Sequence, residues 1–238
     1  MRTVVITGVS GGLGAALFDQ LAARGDRVLA LGRHFSQAQR ALAGREPERV
    51  TLRITDLAEV ASLPDAAELA VALRGAAGAV LLHNAAVVEP IGPVGALAPE
   101  QVARAVSVNL TAPMLLTNAF LAAAARPAQV LFISSGAARR AIEGWSVYCA
   151  TKTGGEAFFA ALAAEADRAP GDDTGAGRVS VACVNPGVMD TPMQGAIRAA
   201  SFPDRGRYAA LHARGELADP ADVARKIISE HLTDRWEG

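Results

Sequence analysis

The sequence predicts an α/β fold with a doubly wound parallel sheet, and three observations lead to that prediction. Six short apolar runs alternate with alanine-rich stretches of helical spacing. The runs are continuous rather than alternating, which is typical of strands covered on both faces. A glycine-rich turn joins the first run to the first helical stretch. Right-handed crossovers between such strands place helices on both faces of one sheet.

Each element follows from its own pattern. Strands are predicted at residues 3–7, 27–31, 50–54, 79–83, 130–134 and 179–184. Helices are predicted at residues 12–24, 36–43, 59–73, 99–125, 146–168 and 220–232. Pro113 should kink the fourth helix or mark an irregular turn in it. Residues 169–177 are turn-rich and should form a surface loop. Residues 191–216 have little β pattern and a mixed helical signal, so we expect a long irregular segment that forms a substrate lid.

The composition narrows the class of protein. The chain has 238 residues, 51% hydrophobic and 20% charged, which excludes a disordered chain. No linker-like stretch divides it, so residues 1–238 are expected to form a single domain. The formal charge of −1 argues against nucleic-acid binding, and two cysteines with no Cys/His cluster argue against a metal site. We find no apolar run long enough for a membrane span and no signal-peptide core, so a cytoplasmic protein is expected.

The turn after the first strand predicts a dinucleotide site. It reads TGVSGGLG, with Gly8, Gly12 and Gly14 in a GxxxGxG spacing and Ser10 and Leu13 between them. Glycines allow a tight turn and a close approach of the backbone to a pyrophosphate, which the N–H groups at the start of a helix attract. The expected fold is therefore Rossmann-like. A glycine-rich turn without a ligand is the alternative.

The ends of the second and third strands bear on the choice of cofactor. An NAD site usually has an acid after the second strand, whereas this chain has Arg33 there. A guanidinium can bind a 2′-phosphate bidentately, which favours NADP(H); a solvated arginine is the alternative. Asp56, which precedes Leu57, is expected either to accept from the adenine amino group or to cap the following helix.

A tyrosine, a lysine and a serine are expected to carry the chemistry. Lys152 is one of only two lysines in the chain and follows Tyr148 by four residues, so both share one helix face. A nearby ammonium would lower the pKa of the phenol. Ser134 and Ser135 end the fifth strand, where a hydroxyl could bond a carbonyl oxygen that gains charge. The alternative is a packed tyrosine and a surface lysine.

These motifs resemble the short-chain dehydrogenase/reductase family over nearly the whole chain. TGVSGGLG is similar to its cofactor turn, HNAA around Asn84 to its NNAG stretch, and SVNL to the segment with its mid-helix asparagine, here Asn109. Ser135 precedes Tyr148 by thirteen residues, which is the usual spacing of the family. The family's nicotinamide-binding segment corresponds to Pro186, Gly187, Val188 and Thr191.

The resemblance implies a role for each matching residue. Tyr148 would donate a proton to the substrate carbonyl, and Lys152 would lower its pKa and bind the nicotinamide ribose. Ser135 would orient the carbonyl. Asn109 would hold a water in a proton relay, and Thr191 would contact the carboxamide. The cofactor would carry the hydride.

A narrower likeness links GWSVYCATK and VMDTPMQ to the sepiapterin reductase and benzil reductase branch. That branch reduces vicinal dicarbonyls with NADPH. Trp145 would suit a flat substrate or simply pack at the helix entry, and Arg139 and Arg140 either border the pocket or, as we favour, are solvated.

The chain stops at Gly238, about where relatives begin a seventh strand, so we expect six strands, with pterin specificity in doubt. The resemblance implies a small carbonyl substrate and a homodimer formed through the long helices. The alternatives are an NADP-dependent alcohol dehydrogenase of other specificity and a non-catalytic NADP(H)-sensing module.

Overall fold

Six parallel strands form the sheet in the computed structural model, which describes residues 1–124, 127–168 and 179–232. They are β1 (Arg2–Thr7), β2 (Arg27–Gly32), β3 (Val50–Ile54), β4 (Gly78–His83), β5 (Ala128–Ile133) and β6 (Val179–Val184). Their order is β3-β2-β1-β4-β5-β6, which confirms the doubly wound sheet. The order reverses between β1 and β4, where such sheets open a crevice at the carboxyl ends of the strands.

Helices cover both faces of this sheet. They are α1 (Gly12–Ala23), α2 (Gln37–Arg45), α3 (Ala66–Ala72), α4 (Pro99–Val106), α5 (Ala112–Ala123), α6 (Ser146–Arg168), α7 (Pro192–Ala199), α8 (Arg205–Ala213) and α9 (Pro220–His231). Short 3₁₀ turns occupy Val60–Ser62 and Gly136–Ala138. The predicted loop at residues 169–177 lies outside the described residues.

The structure differs from two predictions, one about where a helix begins and one about an irregular segment. The helix predicted from residue 59 begins only at Ala66, because Pro64 interrupts it and Asp65 forms a capping box with Glu68. The segment 191–216 is not irregular but contains α7 and α8, and Pro192 occupies the first turn of α7.

Pro113 does mark an irregular turn, as predicted. A π-helical turn at Ser107–Thr111 connects α4 to α5, and its closing bond runs from the Ala112 N–H to the Ser107 carbonyl. Proline has no N–H to donate to the carbonyl four residues earlier, which is that of Asn109. The wider turn therefore falls where the α-helical bond is missing.

Within the described residues the core forms three buried clusters. Alternate strand residues point to opposite faces, so Val4 packs with α1 and α9 while Val5 packs with α3, α5 and α6. A third, smaller cluster contains no strand residue and includes the rings of Trp145, Phe202 and Tyr208. We call these three rings the aromatic wall.

The stretch Pro99–Ala123 is long and apolar enough, by length and composition alone, to cross a membrane, which our reading of the sequence did not find. In the structure this stretch is α4, the π turn and α5, and 44% of its most apolar window is buried. Leu116 and Phe120 of α5 pack into the core on one face of the sheet. A core helix accounts for the same composition.

Candidate active site

A cavity of about 420 Å³ opens at the carboxyl ends of the strands. It is where the topology predicts a ligand, because loops from both halves of the sheet meet there. Its lining includes the predicted Gly8, Ser10, Gly12, Leu13, Gly14, Arg33, Asp56, Leu57, Asn84, Ser135, Trp145, Tyr148, Lys152, Pro186, Gly187, Val188 and Thr191. Asn109 is the one predicted site residue that does not line it.

The glycine turn is shaped by close backbone approach. Gly8 and Gly12 have φ values of +76° and +54°, where side-chain-bearing residues are strained. A Cβ on Gly14 would overlap the Gly8 carbonyl oxygen and the Asn84 amide. The Asn84 Nδ2 donates to the carbonyls of Thr7 (3.1 Å) and Gly8 (3.0 Å), so Asn84 braces the turn from β4.

The start of α1 is suited to an anion. Its N-cap, Gly11, offers no side-chain hydrogen bond to the first N–H groups. Those groups therefore keep their capacity to bind an anion, and the positive end of the helix dipole adds to the attraction. A pyrophosphate fits this position.

The far end of the cavity presents two arginines and one acid. Asp56 accepts from the Ala58 N–H at 3.0 Å and lies 3.5 Å from the Arg104 Nη2. The Ala58 hydrogen bond, aided by Arg104 and Arg33, lowers the pKa of Asp56 despite its partial desolvation. Asp56 is therefore ionised. It does not cap the next helix, because Asp65 does so, and that alternative was wrong.

Tyr148 and Lys152 lie one turn apart on α6 and face the carboxyl end of β5, which Ser135 follows. Burial raises the pKa of Tyr148 to about 12, and a hydrogen bond with Ser135 partly counteracts this rise. This rise in the pKa of Tyr148 is opposite to the lowering that we expected from a nearby Lys152. The Lys152 Nζ lies 5.9 Å from the centre of the tyrosine ring and donates instead to the Ile133 carbonyl at 2.7 Å.

Lys152 itself is fully buried. Desolvation lowers its pKa to about 8, because water is replaced by protein around the ammonium. The Ile133 carbonyl and the Phe132 ring, whose centre is 4.7 Å away, are its contacts. The protonation of Lys152, which lies next to the cavity, is therefore sensitive to the charge of a bound ligand.

Asn109 lies in the π turn and is buried behind the cavity. Its Oδ1 accepts from the Val87 N–H at 2.8 Å, and its Nδ2 donates to the Val87 carbonyl at 2.8 Å and to the Thr151 Oγ1 at 3.2 Å. Both amide hydrogens are used, so the side chain braces the loop after β4 against α6. A water relay would have to use another atom of this residue.

The aromatic wall closes the other side of the cavity. Trp145 stacks on Tyr208 with ring centres 5.4 Å apart and meets the Tyr148 ring edge-on at 5.7 Å. Met193 and Ile197 of α7 also line this half. We missed Tyr208 in the sequence; it is the only other tyrosine of the chain, which was the available signal.

Arg140 corrects another expectation. It lines the cavity, and its charge counteracts the rise that burial causes in the pKa of Tyr208, so it borders the pocket rather than being simply solvated. Arg139 turns away and pairs with Glu156, with 3.2 Å between its Nε and the Oε2. One of two adjacent arginines is therefore part of the site.

Comparison with known proteins identifies the family. The short chain dehydrogenase family model matches residues 2–201. The chain belongs to the short-chain dehydrogenase/reductase family. A benzil reductase ((S)-benzoin forming) of Bacillus cereus is 32% identical over 95% of this chain and 92% of its own length. Its counterpart in Bacillus subtilis is 30% identical over 96% and 93%. A short-chain dehydrogenase/reductase structure from Burkholderia vietnamiensis is 36% identical, covers 87% of this chain and 94% of its own, and has a TM-score of 0.68.

Membership in this family makes the chain an oxidoreductase that uses a nicotinamide cofactor. The residues fit such a group. The open N–H groups of α1 suit the pyrophosphate, and the glycines leave room for close approach. The far end of the cavity provides both positive charge and a carboxylate.

Proposed function

We propose that this protein is an NADPH-dependent carbonyl reductase that reduces one carbonyl of a vicinal dicarbonyl, either a benzil-like α-diketone or a sepiapterin-like compound. One observation carries the proposal. A protonated phenol, Tyr148, shares one cavity with Ser135 and the glycine turn and lies beside an aromatic wall.

Tyr148 is suited to act as a general acid. Its pKa of about 12 keeps the hydroxyl protonated at neutral pH, so the phenol can donate. When bound, the reduced nicotinamide supplies the hydride. As charge develops on the carbonyl oxygen, Ser135 donates a hydrogen bond to it and Tyr148 gives it a proton. An alkoxide is a stronger base than a phenolate, so this transfer is favourable.

Lys152 supports the tyrosine after the proton has left. A phenolate in this buried position is costly, and a buried ammonium on the next turn of α6 stabilises it through space. Lys152 would also bind the ribose of the cofactor, and Thr191 would contact the carboxamide. Asn109 would hold α6 in place through Thr151, which precedes Lys152.

The choice of NADPH rests on Arg33. It follows β2 and lines the cavity, and the residues next to it are Gly32 and His34 rather than an acid. Arg33 would bind the 2′-phosphate through paired hydrogen bonds. Asp56 would accept from the adenine amino group.

The choice of a dicarbonyl rests on the aromatic wall and on the benzil reductases that resemble the chain over most of its length. Trp145 presents a large flat surface next to Tyr148, which suits an aryl group attached to the reacting carbonyl.

We further propose that the protein is cytoplasmic and forms a homodimer through the long stretch of α4 and α5 together with α6, without a nucleic-acid or membrane partner. Light scattering coupled to size exclusion should give twice the chain mass of 24.5 kDa. A monomer at micromolar concentration would contradict the dimer.

The test of the activity is NADPH consumption over a panel of benzil, 1-phenyl-1,2-propanedione, sepiapterin and simple monoketones, repeated with NADH. We expect the aryl diones to have the highest kcat/KM and NADPH to be preferred. Faster turnover of a monoketone than of every dione would contradict the substrate class, and so would faster oxidation of a secondary alcohol in a parallel assay supplied with NADP+. NADPH binding without turnover of any compound would favour a sensing role.

A further inference from the structure

The catalytic serine lies on a short segment that is fastened to α6. This segment, residues 134–139, follows β5 and contains a 3₁₀ turn; we call it the serine loop. The Ser135 Oγ accepts from the Ala137 N–H at 3.2 Å. The loop carries Ser135 while α6 carries Tyr148, so the geometry between the two catalytic groups depends on how the loop is held against the helix.

Glu156 bonds both ends of the serine loop. The Ser134 Oγ donates to one carboxylate oxygen at 2.7 Å, and the Arg139 Nε donates to the other at 3.2 Å. Ser134 is buried and the Glu156 side chain is 20% exposed, so the bond from Ser134 is partly shielded from water, whereas the Arg139 side chain is 77% exposed. Hydrogen bonds to a charged group are stronger than neutral ones, and shielding preserves them.

These bonds matter because Glu156 lies on α6, the helix that also carries Tyr148 and Lys152. It lies one turn after Lys152 and two turns after Tyr148 on the same helix. The Thr153 Oγ1 adds a bond to the Ala138 carbonyl at 2.8 Å, but Glu156 is the residue that bridges the two ends. The same helix, α6, therefore carries Tyr148 and holds the loop that carries Ser135.

We propose that Glu156 is a positioning residue: it fixes Ser135 relative to Tyr148 through Ser134 and Arg139. It does not line the cavity and so touches neither substrate nor cofactor. Without its carboxylate the loop is free to shift, and displacements of about 1 Å between reacting groups can cost on the order of a hundredfold in rate. The inference rests on the proposed function, because it assumes that Ser135 and Tyr148 act together.

The experiment compares four variants of the full chain. Glu156→Met keeps an unbranched side chain but has no strong acceptor, and Glu156→Gln keeps one. Ser134→Ala removes the donor, and the double variant Ser134→Ala/Glu156→Met removes both partners. Glu165→Met is the matched control, because it makes the same change at an exposed acid of the same helix. The readouts are the single-turnover rate of hydride transfer to 1-phenyl-1,2-propanedione, the Kd of NADPH and its binding stoichiometry.

We expect Glu156→Met to slow hydride transfer by roughly tenfold or more, with the Kd of NADPH within twofold and full stoichiometry. Glu156→Gln should recover most of the rate, and the double variant should be no slower than Glu156→Met, because both changes remove the same bond. Glu165→Met should match the wild type.

Three results would overturn the proposal. These are an unchanged rate in Glu156→Met, a lost rate that is matched by lost NADPH-binding sites, and a Glu156→Gln variant as slow as Glu156→Met. If the wild-type protein fails to reduce any carbonyl with NADPH, the proposed function itself is wrong, which is a distinct outcome.

Discussion

The two halves of the cavity are built in different ways. The cofactor half consists largely of backbone: a glycine turn at the end of β1, the open start of α1 and loops after the neighbouring strands. The substrate half consists of large side chains, with Trp145 before α6 and Tyr208 on α8. Backbone geometry serves one fixed ligand, whereas side chains can be exchanged to suit different ones.

Tyr148 lies where the halves meet, and removing its hydroxyl should have the largest effect. Tyr148→Phe should lower kcat by about 10²–10⁴-fold, the usual contribution of a general acid, with NADPH affinity nearly unchanged. The check is steady-state turnover together with fluorescence titration of NADPH. Tyr208→Phe is the matched control and should retain kcat within about fivefold. If the kcat of Tyr148→Phe stays within a few-fold of wild type, Tyr148 is not the general acid.

The cofactor half should not tolerate side chains at its closest approach. Gly14→Ala places a methyl group against the Gly8 carbonyl and the Asn84 amide, so the turn must open. We expect NADPH affinity to fall by about a hundredfold and the Tm to drop. Gly11 has an extended backbone, and only Pro192 would lie near an added methyl group. We therefore expect the NADPH affinity of Gly11→Ala to stay within about threefold of wild type. Equal effects in the two variants would mean that steric closure does not define this half.

Arg33 tests the chemistry of the adenosine end. Arg33→Gln should reduce kcat/KM for NADPH by about 10–100-fold, because it removes a charge-assisted bond worth about 1.5–3 kcal/mol. The kcat/KM for NADH should change by less than about threefold, because NADH has no 2′-phosphate. NADH therefore serves as the control cofactor for this variant. A parallel loss with both cofactors would show that Arg33 supports the fold rather than the 2′-phosphate.

In the substrate half we expect a single substitution to have a smaller effect on turnover, and the size of that effect should depend on which substrate is used. Trp145→Leu removes the flat surface beside Tyr148 and should raise the KM for 1-phenyl-1,2-propanedione by about tenfold. The KM for 2,3-butanedione, which has no ring, should change little. If both values rise together, Trp145 serves to pack the aromatic wall and not to recognise an aryl group.

The smallest expected effect is on pH dependence. Lys152 has a pKa of about 8, so it is charged below that pH and loses its charge above it. NADPH affinity should therefore decline several-fold between pH 7 and 9.5, if the ammonium helps to hold the cofactor. Lys152→Met should give weaker binding with a flat profile. An unchanged wild-type affinity across this range would contradict a role for the charge.

Much of the fold and the cofactor half could be predicted, because their signals are contiguous in sequence. The strands are continuous apolar runs and the glycine turn is one motif, so each could be assigned locally. The boundary of α3 failed because Pro64 and the Asp65 cap outweighed the helical spacing. The direction of the Tyr148 pKa failed because it depends on burial and on the Lys152–Ile133 bond.

The remaining site residues are joined only by tertiary contacts. Tyr208, Arg140 and Glu156 lie far from their partners in the chain or have no motif of their own. Asn109 matches a family motif, but the sequence does not reveal that both its amide hydrogens are used by Val87 and Thr151. Such side-chain pairings depend on which helix faces meet.

The aromatic wall has a consequence for how this protein can diversify. It belongs to a buried cluster apart from the two that flank the sheet, and two of its three rings, Phe202 and Tyr208, lie within residues 192–213. A graft of residues 192–213 from a relative would exchange these two helices while the serine loop, α6 and the glycine turn stay untouched. New reductases could arise from this chain by replacing one surface of the cleft, with the hydride-transfer machinery inherited whole.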